Sequence, residues 1–274
     1  MANITSQMVK ELRETTQAGM MDCKKALEEA NGDQDKAMEI IRKRGQALAA
    51  KREDRDAAEG CVLAASTGEF AAVVALKCET DFVAQNGDFV ALTQSILDLA
   101  MEAKPANIDE LNALTLNGMS VKDAITDRSG VTGEKMEIGF YEFVSGPATV
   151  AYIHAGNKLA TVVAFNQAVD TQVGRDIAMQ VAAMSPVSTT RDEDPADIVE
   201  KEFNVAREKA REEGKPEAML DKIAEGRINK FYKESVLLEQ EFVKDPKQSI
   251  KQYLQAANKE LTVASFKRVT LNAE

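Results

Sequence analysis

The sequence predicts an α+β protein, because the spacing of its apolar residues changes character along the 274 residues. Helical spacing predominates over residues 1–54, which indicates a small three-helix domain. Dense apolar runs, separated by Gly turns and followed by helices, recur in residues 55–139 and 140–274. They predict a core of two related hairpin-plus-helix subdomains with antiparallel sheets. Residues 191–234 are highly charged, and we expect them to form an antiparallel coiled-coil hairpin inserted in the second subdomain.

Three amphipathic helices account for the first domain. Their apolar stripes are Met8, Val9 and Leu12, then Cys23, Ala26, Leu27 and Ala30, then Ala37, Met38, Ile40 and Ile41. Gly32 is suited to end the second helix in a left-handed conformation, and Asp33 is suited to cap the third. Basic residues at 42–44 precede Gly45, which predicts that the third helix ends there.

Two β-hairpins, each followed by a helix, form the predicted core. The strands are expected at residues 61–65, 70–78, 149–154 and 159–165, and the helices at residues 89–103 and 175–184. The segments 71–76 and 160–165 share a pattern of small and β-branched residues, each after a Gly turn. This echo suggests that the subdomains are related. Residues 106–139 are ambiguous, with a short helix indicated near 108–114 and turns near 127–133.

The charged segment 191–234 is expected to contain two helices, with Pro195 and Pro216 in their first turns. A narrow apolar seam that includes Phe231 would join them. A hairpin with only a structural role is the alternative, because charged helices usually just face water. Residues 261–271 alternate as a terminal strand that would rejoin the second sheet.

Composition narrows the class of partner. The formal charge of −11 and the pI of about 4.9 disfavour direct nucleic-acid binding, since phosphate contacts need a basic face. No apolar run is long enough to span a bilayer, and residues 1–5 lack the features of a signal peptide, so we expect a cytoplasmic protein without membrane association. The wide spacing of Cys23, Cys61 and Cys78 favours reduced, buried thiols.

Motifs for catalysis and cofactor binding are missing from the sequence. His154 is its single histidine, so no His pair exists to bind a metal. The Gly-rich patterns of phosphate-binding and dinucleotide-binding loops are absent, and so is the nucleophile pattern Gly-x-Ser-x-Gly. The sequence therefore predicts no catalytic residue, no metal site and no cofactor. An enzyme in the α+β core is the weakest of the alternatives.

Residues 79–89 connect a strand pattern to a helix pattern and place an acid beside an aromatic, Asp81 and Phe82. A corner held by two rigid elements is suited to present a side chain to a partner. The alternative is that Phe82 or Val83 covers the core from the loop, because aromatic residues are usually buried. The residues of the corner alone leave both interpretations open.

Three stretches of the chain resemble the bacterial elongation factor Ts family. They are residues 9–13 with 18–27, residues 80–84 (Thr-Asp-Phe-Val-Ala) and residues 237–245. The resemblance implies a ubiquitin-associated-like fold for the N-terminal helical domain. It also implies that the protein is a guanine-nucleotide exchange factor without covalent chemistry, which binds the GTPase elongation factor Tu, promotes GDP release and supports the elongation step of protein synthesis.

The resemblance further implies which residues contact elongation factor Tu. In the family, the segment corresponding to Thr80, Asp81, Phe82 and Val83 enters the nucleotide-binding domain of the partner and disturbs its magnesium and phosphate site. The resemblance implies further contacts with the nucleotide-binding domain, for which the candidates are Leu12, Met20, Met21 and Lys24. It also implies contacts with the third domain of the partner, for which the candidates are His154 and Gly156.

The chain departs from the family pattern at Gln17, in place of a glycine, and at Gln85, in place of a basic residue. The sequence leaves open whether the protein forms a homodimer and how far the coiled-coil hairpin contributes to binding. The main functional alternative is an adaptor or chaperone-like binding module that holds a helix of another protein and has no exchange activity.

Overall fold

The structure is a computed structural model that describes residues 3–16, 18–193 and 196–272, without the side chains of residues 196–198. Gln17 and Pro195, which the sequence singles out, lie outside the described residues. The chain divides into two compact units. The first is formed by the described residues of Met1–Leu63, Val74–Glu142 and Thr270–Glu274, and the second by Ala64–Val73 and Phe143–Val269. None of the helices described combines the length and apolar character of a membrane span.

The first unit begins with the predicted three helices, α1 (Ser6–Thr16), α2 (Met20–Glu29) and α3 (Gln34–Ala50). Their buried stripes pack into one core, which contains Val9, Leu12, Cys23, Ala26, Leu27, Ala30 and Ala37. Gly32 adopts the left-handed conformation with φ of 85°, as predicted. Asp33 caps α3, because its side chain accepts a hydrogen bond from the Lys36 N–H at 3.1 Å.

The next elements include the first hairpin and the ambiguous region. They are β1 (Glu59–Ser66), β2 (Phe70–Cys78), α4 (Asp81–Ala84), α5 (Gly87–Ala103), α6 (Ile108–Ala113), β3 (Thr115–Leu116), β4 (Met119–Ser120), α7 (Val121–Thr132) and β5 (Glu137–Ser145). The strand order of the first sheet is β1-β2-β5. The sequence did not predict β5, which crosses the expected domain boundary at residue 139. The domain boundaries stay a prediction.

Two local predictions were wrong, and both concern α7 and its neighbour. The turns expected at residues 127–133 belong to α7, and Gly133 ends that helix with φ of 79°. The helix α3 does not end at Gly45 but continues to Ala50. Gly45 instead lies where α3 crosses α7, because a Cβ added to Gly130 of α7 would lie 2.4 Å from the Cα of Gly45. Glycine lets the two backbones approach this closely.

The second unit contains the second hairpin, its helix and the inserted helical pair. Its elements are β6 (Ala148–Ile153), β7 (Leu159–Phe165), α8 (Thr171–Met184), α9 (Ala196–Glu212), α10 (Leu220–Ser235), β8 (Glu241–Phe242), β9 (Asp245–Ser249), α11 (Ile250–Ala257) and β10 (Val263–Thr270). The sheet has the order β10-β7-β6, so the C-terminal strand rejoins it as predicted. Phe165, Ile177, Ile250 and Leu254 are fully or almost fully buried in the core of this unit.

The helices α9 and α10 form the predicted hairpin. Ala210, Leu220 and Ala224 are buried, as expected, but Phe231 is only half-buried, whereas its neighbour Tyr232 is buried. Ion pairs across the hairpin include Arg227 with Glu213 at 2.7 Å. At the base, Leu237 N–H donates to the Ser188 carbonyl at 2.9 Å, so the chain returns beside the point where it left.

A buried polar network explains the local role of the stretch 237–245, one of those that carry the family resemblance. Gln180 of α8 is fully buried, and its Nε2 donates to Gln240 Oε1 at 3.2 Å. Lys244 Nζ donates to the buried carboxylate of Asp176 at 2.6 Å, and the Tyr253 hydroxyl donates to the same carboxylate at 2.9 Å. These bonds satisfy buried polar groups and fasten the stretch to α8.

The crossing of α3 and α7 can be tested with a pair of helical glycines. Gly130→Ala should lower the free energy of unfolding by about 1–3 kcal/mol, because an added methyl group forces the two backbones apart. Gly226 lies inside α10 with nothing within 4 Å of an added Cβ. Gly226→Ala should therefore raise the free energy of unfolding by about 0.5–1 kcal/mol. Urea denaturation measures both changes, and a stabilising Gly130→Ala would contradict the crossing.

Candidate partner-binding site

The corner after β2 is a single helical turn, α4. Thr80 caps it, since its Oγ1 accepts a hydrogen bond from the Val83 N–H at 3.4 Å. The turn is closed by Ala84 N–H, which donates to the Thr80 carbonyl at 3.1 Å, and by Gln85 N–H, which donates to the Asp81 carbonyl at 3.0 Å. Ala84 points into the protein and is buried. The neighbouring side chains of the turn are therefore directed outward.

Phe82 is 85% exposed, more than any other large apolar side chain in the described residues. Phe82 therefore does not cover the core, and that alternative is wrong for this residue. Asp81 beside it is also exposed, and Val83 is half-buried. Burying a phenylalanine side chain contributes about 1.5–3 kcal/mol, which the free protein forgoes at this position. Aromatic residues are enriched in protein–protein interfaces, so an exposed phenylalanine on a fixed turn is suited to contact another protein.

A glutamate from the loop after α7 holds the start of the corner. Glu134 Oε2 accepts hydrogen bonds from the backbone N–H groups of Glu79 at 3.1 Å and Thr80 at 3.0 Å. Glu134 Oε1 accepts from the Thr80 hydroxyl at 2.6 Å. In return, a carboxylate oxygen of Glu79 accepts from the Lys135 N–H at 2.7 Å. The two segments thus bind each other through side chains and backbone in both directions.

The electrostatics of the corner follow from these contacts. The hydrogen bond from the Lys135 N–H, with a smaller contribution from Arg55, lowers the pKa of the Glu79 carboxyl, although its partial burial opposes the change. Burial, together with the nearby carboxylate of Glu134, raises the pKa of the Cys78 thiol to about 12. This thiol therefore stays protonated, and its Sγ donates to the Thr80 carbonyl at 3.3 Å.

The far end of the corner is fastened by α7 as well. Asn86 caps α5 by accepting from the Asp88 N–H at 2.9 Å. Arg128 of α7 donates to Asn86 Oδ1 at 2.9 Å and to Asp88 Oδ2 at 3.1 Å. The segment that carries Phe82 is consequently held on both sides by residues of α7 and the loop that follows it.

The corresponding corner of the second unit, between β7 and α8, has different chemistry. Asn166 donates through Nδ2 to the Glu260 carbonyl at 2.7 Å, and its Oδ1 accepts from the Thr262 N–H at 2.9 Å. This corner is closed by the chain before β10 and carries no pair of an acid and an aromatic.

The N-terminal candidates are separated by their exposure. Met20 and Met21 are 61% and 62% exposed at the start of α2, so both are available to a partner. Lys24 is exposed and lies 4.0 Å from Glu28 in an ion pair. The prediction that Leu12 contacts a partner is wrong, because its side chain is only 1% exposed and packs in the core of α1, α2 and α3.

The remaining candidates lie in the turn between β6 and β7 of the second unit. His154 is exposed, and its Nδ1 lies 3.0 Å from the Tyr152 hydroxyl. Gly156 has φ of 90°, and a Cβ added there would meet nothing within 4 Å. Both residues are accessible on the turn.

Sequence reasoning missed Glu134, which directly contacts the corner. It lies 54 residues after Thr80, and the stretch around it has no pattern that indicates a contact with the corner. Its one local signal is its place after Gly133, which ends α7. Such a signal predicts the end of a helix and not the partner of the following side chain.

Comparison with known proteins places the chain in a family. The model of the family described as elongation factor TS matches residues 79–273, a range that begins at the corner. The chain belongs to the elongation factor Ts family. Elongation factor Ts of Porphyromonas gingivalis is 60% identical over 272 residues, and that of Azobacteroides pseudotrichonymphae is 55% identical over 272 residues, with 99% of each chain covered in both comparisons. Elongation factor Ts of Bacteroides thetaiotaomicron is 45% identical with the same coverage.

Membership of the elongation factor Ts family gives the protein its role as a translation elongation factor. The family match confirms the resemblance seen in the sequence, and the mixture of helices and antiparallel strands confirms the predicted α+β class.

The mutual binding of Glu79 and the loop after α7 predicts the titration of Glu79. Its pKa in the folded protein should lie below the ordinary value of 4.5. The stabilisation is then present above this ordinary value and is lost as the pH falls through the folded pKa. Carboxyl carbon chemical shifts measure this pKa. In Arg55→Ala it should stay lowered, because the Lys135 N–H makes the larger contribution. A value at or above 4.5 in the unsubstituted protein would contradict the geometry.

Proposed function

We propose that the protein is a guanine-nucleotide exchange factor that binds elongation factor Tu in the cytoplasm and promotes release of GDP. The observation that carries this proposal is that the side chain of Phe82 is 85% exposed. It lies on a corner that hydrogen bonds hold at both its start and its end. The family supports elongation factor Tu as the partner. Within the partner, the corner disturbs the site that holds magnesium and the phosphates of GDP.

Thermodynamic linkage explains how such a protein works without covalent chemistry. If it binds the GTPase more tightly when the nucleotide is absent, then it weakens nucleotide binding by the same factor. A coupling of about 1.4 kcal/mol weakens the nucleotide tenfold, and allosteric couplings typically reach 1–3 kcal/mol. The protein therefore needs a surface that fits the nucleotide-free form of the partner, and it needs no catalytic group.

Each residue of the corner has a distinct part in this proposal. Phe82 acts as a wedge that fills a space opened in the partner and stabilises the displaced magnesium site. Asp81 contacts polar groups nearby. Thr80 shapes the corner, because its hydroxyl already donates to Glu134 and accepts from the Val83 N–H. Val83 is half-buried and borders the wedge.

The other accessible candidates extend the contact. Met20, Met21 and Lys24 grip a helix of the GTPase domain, and the methionines offer flexible apolar surface for this purpose. His154 and Gly156 touch the third domain of the partner from the turn between β6 and β7. Leu12 contributes only by packing beneath this surface.

Phe82→Ala tests the wedge directly. Truncation of an interface anchor typically costs 2–4 kcal/mol, so stimulation of GDP release should fall by at least tenfold, as a rough estimate. The stability should change little, because the side chain is exposed. Stopped-flow release of fluorescent GDP from elongation factor Tu, with the protein substoichiometric, measures the rate and requires turnover.

Phe140→Ala is the matched control, since it removes an aromatic that is 41% exposed on β5 and does not belong to the corner. It should leave the release rate close to that of the unsubstituted protein. If Phe82→Ala left the rate of GDP release unchanged, the proposed role of Phe82 as a wedge would be wrong. A protein that binds elongation factor Tu but cannot empty an excess of the GDP-loaded form would be an adaptor and not an exchange factor.

A further inference from the structure

We infer that Glu134 is the positioning residue of the exchange site: its carboxylate sets the orientation of the turn that carries Phe82 and so controls the rate of nucleotide release. This inference rests on the proposed function and deepens it, because it assigns a determinant of the activity to a residue that does not itself belong to the exposed turn. Its basis is the set of hydrogen bonds between the loop after α7 and the start of α4.

The first step is the pairing of the backbone. β2 ends at Cys78, so the N–H groups of Glu79 and Thr80 lie beyond the strand. Both donate to the same oxygen, Glu134 Oε2, at 3.1 and 3.0 Å. Hydrogen bonds to an ionised acceptor are shorter and stronger than neutral ones. The direction in which the chain leaves the strand is therefore fixed by one side chain.

The second step is the side chain that caps the turn. The other oxygen, Glu134 Oε1, accepts from the Thr80 hydroxyl at 2.6 Å. The hydroxyl hydrogen is thus directed at Glu134, and a lone pair of Oγ1 is left to accept from the Val83 N–H. Glu134 consequently orients the cap of α4 as well as its entry. Phe82 is the second residue of this four-residue helix and turns with it.

The third step concerns Glu134 itself, which is held independently of its carboxylate. Its backbone carbonyl accepts from the Ser129 hydroxyl, and its N–H donates to Thr132 Oγ1 at 3.3 Å. The Gly133 N–H also donates to the Ser129 carbonyl at 2.9 Å. The end of α7 keeps these bonds when the carboxylate is removed. A substitution at Glu134 should therefore release the corner and leave α7 folded.

The experiment measures GDP release from the GTPase with the full-length protein carrying Glu134→Ala, Phe82→Ala or both. Glu134→Ala alone should slow the release by about three- to tenfold, since a small displacement of a positioned group has effects of this order or larger. In the Phe82→Ala background it should change the rate by less than about 1.5-fold, because residues that act as one unit are not additive. Amide hydrogen exchange at Glu79 and Thr80 should become faster.

Two further variants keep the test decisive. Glu137→Ala removes a half-exposed glutamate that pairs with Lys135 at 3.3 Å, and it should leave the release rate unchanged. Glu134→Gln keeps the volume and one acceptor oxygen, so it should fold even if Glu134→Ala does not. Its release rate should lie between those of the unsubstituted protein and Glu134→Ala.

The outcomes separate this inference from the proposed function. Full activity of Phe82→Ala would overturn the proposed function and, with it, the role of Glu134. If Phe82→Ala is slow while Glu134→Ala and Glu134→Gln release GDP at the normal rate, only the inference fails. Equal slowing by Glu134→Ala in both backgrounds would also overturn it, because a general loss of structure acts independently of Phe82.

Discussion

The hydrogen bonds that one carboxylate accepts from the start of the corner are the constraint on which the exposed site depends. Beyond Cys78, the backbone has left the strand but has not yet begun the turn at Asp81, and its N–H groups need other acceptors. Glu134 supplies them. Unpaired N–H groups at this half-buried position would cost free energy comparable to a lost hydrogen bond. The same contact therefore satisfies the backbone and determines where Phe82 points.

The support for this contact extends through α7 to the N-terminal helices of the same unit. Arg42 of α3 pairs with Asp127 at 3.2 Å, and the backbones of Gly45 and Gly130 are in direct contact. The helix α7 thus contacts the corner through the loop that follows it, and it also packs against α3. A preorganised surface loses little conformational entropy on binding, so in the proposed complex more of the apolar contact of Phe82 would be available as binding free energy.

The sequence predicts those features that depend on neighbours along the chain. Stripes of apolar residues at helical spacing and the capping residues predict the three N-terminal helices, and the dense apolar runs predict the hairpins. The role of Gly45 could not be predicted, because the sequence does not distinguish a glycine that ends a helix from one at the crossing of α3 and α7. The exposure of Phe82 and the burial of Leu12 likewise depend on tertiary packing. Glu134 could not be found, since its pairing with Thr80 spans 54 residues and leaves no periodic signal.

The two corners of the protein show why the site follows from particular residues and not from the arrangement of hairpin and helix. Both units place a helix after a hairpin, but different segments of the chain hold the two corners. In the second unit, Asn166 bonds to the Glu260 carbonyl and the Thr262 N–H, which closes the corner against its own chain. In the first, Glu134 accepts hydrogen bonds from the start of the turn, and Asp81 and Phe82 remain exposed. The same arrangement of hairpin and helix therefore presents an exposed acid and aromatic in one unit and not in the other, so the site requires no difference in fold.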